Sequence, residues 1–319
     1  MSHRIAEALR ILARFWLAEV GVDETRLIAA LPQLAPTLPA IDAGAITALA
    51  VEYQRLFGFN LPLYESVFVD PSAMLDAPAT GRVQDLYRQA GWTPPKGLRF
   101  GALDHLGLEL LALAAWIESP DGERAQFAHQ MQTRHLALWV PACIQALGQL
   151  SPHPFYARLG DLTLDLILAT LPAEPVGSDG DPFPVLPPPP VYRDSGLPSP
   201  PDESDDGGPG WAGVTGLLLV PCRAGMYLTR ESVAQITRTL DLPLAVGGRA
   251  RMLQTLFRLA GRYDLLPALL ERLAGAFNEA EAGYRAWAAQ YPAWTPYANA
   301  WRQRLVSTRT ALAKPLLQI

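Results

Sequence analysis

The run Leu103 to Trp116 is apolar on nearly every side at helical spacing. A helix of that kind belongs in the middle of a bundle, because no face of it is suited to water. Three ionisable residues interrupt its start, Asp104, His105 and Glu109. The later segment Arg134-His135-Leu136-Ala137-Leu138-Trp139-Val140-Pro141 repeats the pattern of polar residues set into an apolar helix. Buried polar groups of this sort must find partners inside the fold.

The rest of the first half also reads as helix. Ile5, Leu9, Leu12, Phe15 and Trp16 recur at helical spacing, as do Ile46, Leu49, Tyr53 and Leu56-Phe57 before Gly58. Arg82 to Ala90 forms a short helix stopped by Gly91, and Ser119-Pro120-Asp121 reads as a cap and first turn of a long helix reaching about Leu150. A further helix spans Pro154 to Leu171.

Charge and proline divide the chain. Residues 172–212 hold 12 of the 30 prolines, with 1 basic and 8 acidic side chains. Such a segment cannot bury enough apolar surface to offset its ordering cost, so it is expected to be a disordered or extended linker. A tether is the plainer reading, and a proline-motif ligand the other. Residues 1–171 carry a net charge of −5 and residues 213–319 a net charge of +7. The basic module is therefore expected to associate with the acidic remainder. Its helices are expected at Arg230–Leu240, Gly248–Gly261, Leu265–Ala289 (with a possible break) and Thr295–Leu312; Val214 to Pro221 is the one strand-like run. Trp287, Tyr291, Trp294, Tyr297 and Trp301 make an aromatic ladder that reads as packing against a domain surface rather than a ligand box. The expected fold class is all-α: a helical domain over 1–171, a linker over 172–212 and a small helical module over 213–319.

Bond-making machinery is hard to find. The five histidines form no HExxH or HxH pair, and Cys143 and Cys222 lie too far apart for a metal-spaced cluster or disulfide framework. A reducing cytoplasm is the default compartment. Asp104-His105 is a poor catalytic dyad, because adjacent helical residues point about 100° apart. Asp104 has a simpler expected role as cap of its own helix. Phosphate-loop and nucleophile-elbow motifs are both missing. A net charge of −5 shows no basic excess for nucleic acid, and no uncharged apolar run is long enough for stable membrane insertion. The chain is expected to be no enzyme and to need no cofactor.

Tyr64-Glu65-Ser66-Val67-Phe68, Val83 to Gly91, Leu103-Asp104-His105 to Leu110, His135-Leu136 with Trp139 and Pro141, and Phe155-Tyr156 follow one another in an order that resembles the TorD/DmsD/NarJ family. The resemblance covers roughly residues 1–171. The family's acidic-x-Pro-x-Asp-His segment is kept here only at its Asp-His end, since Arg99-Phe100-Gly101-Ala102-Leu103 precedes it. The resemblance implies an all-helical cytoplasmic chaperone for molybdenum-cofactor oxidoreductases. Such a protein binds the client's N-terminal leader, in some cases a twin-arginine signal, or its apo form, and assists cofactor insertion before assembly or export. Asp104, His105, Glu109, Tyr64, Glu65, Phe68, Trp92, His135 and Trp139 are the expected peptide-binding residues. The aromatics would form apolar groove walls and the acids would be partners for arginine. The alternative is a helical adaptor that docks a partner through its C-terminal module, unrelated to cofactor loading.

Overall fold

The computed structural model describes residues 2–38, 41–119, 122–172, 181–186 and 211–313. The described residues are all-α: they contain no strand, and one isolated antiparallel bridge joins Tyr64 to His105.

The apolar run becomes the centre. Helix α6 (Leu106–Ile117) is buried along almost its whole length, and α1 (Ser2–Leu17) lies directly on it. Gly107 allows this approach, since a side chain there would meet the Ala13 carbonyl oxygen at 2.9 Å. Leu9, Leu12, Phe15 and Trp16 of α1 are buried as their spacing predicts. The short helices α2 (Thr25–Ala30), α3 (Ala43–Tyr53), α4 (Glu65–Val69) and α5 (Pro78–Gln89) lead up to α6. After α6 the chain runs through α7 (Gly122–Gln130), a π-helical turn (Met131–Leu136) and α8 (Ala137–Gly148) without leaving helical conformation. Helix α9 (Pro154–Ala169) closes the bundle, with Trp16 Nε1 donating to Thr163 Oγ1 at 2.9 Å. Pro120 and Asp121, which follow the expected cap Ser119 in the first turn, lie outside the described residues.

Most of the proline-rich segment, 173–180 and 187–210, also lies outside the described residues. Its described part rests on the C-terminal helices: Phe183 packs edge-on against Trp301 at 4.9 Å, and Asp181 accepts from Arg304 at 2.6 Å.

The C-terminal region comprises α10 (Trp211–Leu219), α11 (Pro221–Ala224), α12 (Arg230–Thr239), α13 (Arg249–Arg262), α14 (Leu266–Gln290) and α15 (Thr295–Ala313). The strand-like run from Val214 is helical instead. Val214 and Leu218, one turn apart, are buried in the core, and α10 packs along α13. A short apolar run has no periodicity that separates strand from buried helix, so packing decides. Helix α14 runs unbroken through Gly275.

One continuous apolar core runs through both halves. Phe68 of α4 stacks on Tyr227 at 5.3 Å, and the aromatic ladder of α15 reaches into the first half. Pro141 lies inside α8 and has no N–H, so the Ala137 carbonyl four residues back loses its helical donor. Trp294 Nε1 donates to that oxygen at 2.8 Å. Trp301 Nε1 donates to the neighbouring Leu138 oxygen at 2.7 Å, and the Tyr297 hydroxyl donates to Thr133 O in the π turn at 2.6 Å.

Among the described residues the charge expectation is met only in the Asp181–Arg304 pair. Across the seam between the first half and α12, the cation is Arg55 of the first half and the acid is Glu231, at 2.5 Å. The Glu231 amide also donates to Asn60 Oδ1 at 3.0 Å. Aromatic burial and these directed bonds join the halves, rather than a general attraction of opposite net charges.

Trp301→Ala is expected to cost about 3–5 kcal/mol, since it leaves a large void and removes a buried hydrogen bond to Leu138 O. Trp301→Phe, which removes chiefly the donor, is expected to cost about 0.5–1.5 kcal/mol. Urea titrations followed by circular dichroism would check both values. Those titrations should show one transition for the whole chain, with a midpoint that changes little between low and high salt.

Candidate functional site

The bridge between Tyr64 and His105 pins two helix starts together. The Glu65 amide donates to Asp104 O at 3.0 Å and the Leu106 amide to Leu63 O at 2.9 Å. The expected cap of α6 by Asp104 is not what forms. His105 is the N-cap, and its Nδ1 accepts from the Gly107 amide at 3.1 Å. Asp104 Oδ2 instead accepts from the Ser66 amide at 2.7 Å, in the first turn of α4. The carboxylate still meets the positive end of a helix, but a helix distant in sequence. His153 caps α9 as His105 caps α6, accepting from the Phe155 amide at 3.1 Å.

From this hinge the polar side chains converge. Glu65 is fully buried; its Oε2 meets His135 Nδ1 at 2.7 Å and its Oε1 accepts from Arg82 at 3.1 Å. Arg82 also donates to Arg134 O at 3.0 Å, so it closes the cluster against the π turn. Glu109 accepts from Trp139 Nε1 at 3.1 Å. Tyr64 stands edge-on to His105 at 4.9 Å, and its hydroxyl accepts from the Gly101 amide at 3.1 Å. Thus Tyr64, Glu65, Asp104, His105, Glu109, His135 and Trp139 belong to one neighbourhood. Phe68 joins it through Trp139 at 5.4 Å, while Trp92 stands elsewhere, packed on Tyr87 at 4.5 Å.

Burial governs the chemistry. Glu65, Asp104, His105, Glu109 and His135 are buried, as are Phe68 and Trp139, whose shared face is covered by Tyr227 of the same chain. Only Tyr64 and Trp92 of the nine are partly exposed. Burial, reinforced by the Glu65 charge, holds the Glu109 carboxyl well above the usual carboxylate range against the pull of Trp139. Burial likewise raises Asp104 against the hydrogen bond from the Ser66 amide. It pushes His105 down to about 4, which suits an Nδ1 that accepts a hydrogen bond. Asp104 Oδ1, Glu109 Oε1, Ser66 Oγ and the Tyr87 hydroxyl find no partner among the described residues.

Arg82 was missed in the sequence. It lies beside Ala79, Val83 and Leu86 on the inward side of α5, and an arginine on the edge of an apolar stripe is the signal that could have found it. No group of His, Cys, Asp and Glu among the described residues has the arrangement to hold a metal ion.

The two kinds of shift pull stability in opposite directions with pH. Glu109 and Asp104 stay protonated in the fold where their unfolded counterparts have ionised, so they favour the fold less as pH rises above the ordinary carboxylate range. His105 stays neutral in the fold, so its contribution is lost as pH falls from about 6.5 towards about 4. Glu109→Gln keeps an oxygen for Trp139 and removes the buried acid. Thermal melts should find it more stable than the parent at about pH 8, with the gap shrinking by about pH 5.

Known proteins match the part of the chain that contains this cluster. Residues 23–145 match the family described as nitrate reductase delta subunit. The Tat proofreading chaperone DmsD of Salmonella typhi is 27% identical over 171 residues, covering 50% of this chain and 76% of that relative. The C-terminal ladder lies beyond the matched family segment. Over residues 23–145 this chain is therefore similar to the nitrate reductase delta subunit family, and the relative it resembles over 171 residues is named as a chaperone.

Proposed function

We propose that this chain is a cytoplasmic chaperone that binds the leader peptide or apo form of a molybdenum-cofactor oxidoreductase subunit and assists cofactor insertion before assembly or export. The family match over residues 23–145, which spans the whole Glu65–Asp104–His135 cluster, carries this reading. The name of the Salmonella relative, a Tat proofreading chaperone, points the same way. The cluster supports it physically, since its buried side chains tie the Tyr64 segment to α6 and the π turn and leave Tyr64 partly exposed at the edge. No described helix is long and apolar enough to cross a membrane.

In this reading the nine residues divide by exposure. Tyr64 and Trp92 meet the client directly. Glu65, Asp104, His105, Glu109 and His135, with Phe68 and Trp139 behind them, hold the Tyr64 segment in place. Second-layer residues of this kind act on binding through the geometry of the first.

Co-purification tests the proposal. The tagged chain, expressed in a host that makes molybdoenzymes, should retain a catalytic subunit that still has its leader and lacks its cofactor. Tyr64→Ala and Trp92→Ala should each weaken that retention several-fold, measured by competition with untagged protein. Equal capture of cofactor-loaded and leaderless client would reject the proposal.

A further inference from the structure

Helix α3 is charge-free from Ala43 to Val51, and its composition is that of a helix buried on all sides. It is not buried on all sides. Leu49 is its one buried residue, while Gly44, Thr47, Ala48 and Val51 form an exposed stripe along one face. Val51 is 65% exposed, and Phe59, just past the end of the helix, is 64% exposed. Ile41, just before it, is 46% exposed. Scattered apolar residues on a surface need no explanation, but an aligned run of them does.

A groove of about 540 Å³ lies at the C-terminal end of this face, lined by Glu19, Ala50, Val51, Gln54, Arg55 and Phe59. It sits on a π-helical turn, Gln54–Gly58, a local distortion that recurs at functional sites. Arg55 offers no free charge to it. Its guanidinium is taken up by Glu52, Glu231 and the Leu150 carbonyl. Glu19 accepts from Gln54 Nε2 at 2.5 Å, and Asp42 stands at the opposite end of α3, as its N-cap. The surface is therefore an apolar strip with an acid at each end. Its complement is an apolar helical segment flanked by cations.

We propose that the α3 face, from Ile41 to Phe59, is the seat of the apolar helical stretch of a client leader, with Glu19 or Asp42 meeting its basic flank. This rests on the leader-binding reading above and adds a location outside the buried cluster. A leader docked here lays its apolar side on Ala48, Val51 and Phe59, and the buried polar cluster need not open.

The test uses the full chain and a synthetic peptide of about 20 residues, two adjacent arginines followed by a leucine–alanine run long enough to form a helix. A photo-crosslinking phenylalanine analogue at position 59 reports what lies on the face, and fluorescence titration gives the affinity. The expected result is a crosslink to the peptide, lost in Val51→Glu, with Val51→Glu and Phe59→Glu each weakening binding at least about tenfold. Both sites are exposed, so thermal melts should stay unchanged, and Val306→Glu on α15 should bind as the parent does. Unaltered affinity in both variants would overturn this seat and leave the leader-binding reading standing. No binding by the parent chain would overturn both. A crosslink to another segment of the same chain, or to a second copy, would show a different occupant and also overturn the seat.

Discussion

Pro141 sets a condition that the rest of the chain has to meet. It interrupts the hydrogen bonding of a fully buried helix, and a buried carbonyl without a donor costs on the order of 1–3 kcal/mol. Water has no access to Ala137 or Leu138. The donor comes from Trp294, more than 150 residues away, and Trp301 adds a bond to the neighbouring Leu138 oxygen. The π turn just before them presents Thr133 O to Tyr297 in the same way. Three aromatic side chains at helical spacing thus donate to three carbonyls of the first half, one of which, Ala137 O, has lost its helical donor to Pro141. This explains why the C-terminal helices share a core with the bundle, although the intervening sequence reads as a tether. The module is an internal partner for α8.

The same π turn bears on the polar cluster. It carries His135, which reaches Glu65, and Arg134, whose carbonyl accepts from Arg82. The outer side of this segment is therefore tied to the aromatic ladder and its inner side to buried charge. A movement of α15 would be felt at Glu65 through only one helical turn. Asp104 and Glu109, whose ionisation burial disfavours, and His105, whose protonation burial disfavours, make a cluster whose charge state depends on its being closed.

Much of the helical layout was legible in the chain. Regular spacing located α1, α6, α9 and the C-terminal helices, and the motif order located the residues that gather around Glu65. Partners were harder to read. Asp104 was expected to cap its own helix and caps α4; His105, read as a polar residue in an apolar run, is the cap. Both residue types accept amide hydrogens, and the sequence offers no means of choosing between them. Val214 to Pro221 looked like a strand because short apolar runs suit either state. The exposure of α3 was hidden for the opposite reason: its composition reads as core.

The sequence alone determined that this chain is helical, that its most apolar run carries two acids and a histidine, and that its order of motifs resembles that of a chaperone family. These properties depend on local spacing and residue chemistry, which a linear string records. The tertiary structure alone decided that the halves share one core, that the expected contact residues are mostly enclosed, and that α3 is left facing outward. Each of those outcomes depends on which surfaces meet across long stretches of chain, and burial is a property of the meeting rather than of either partner.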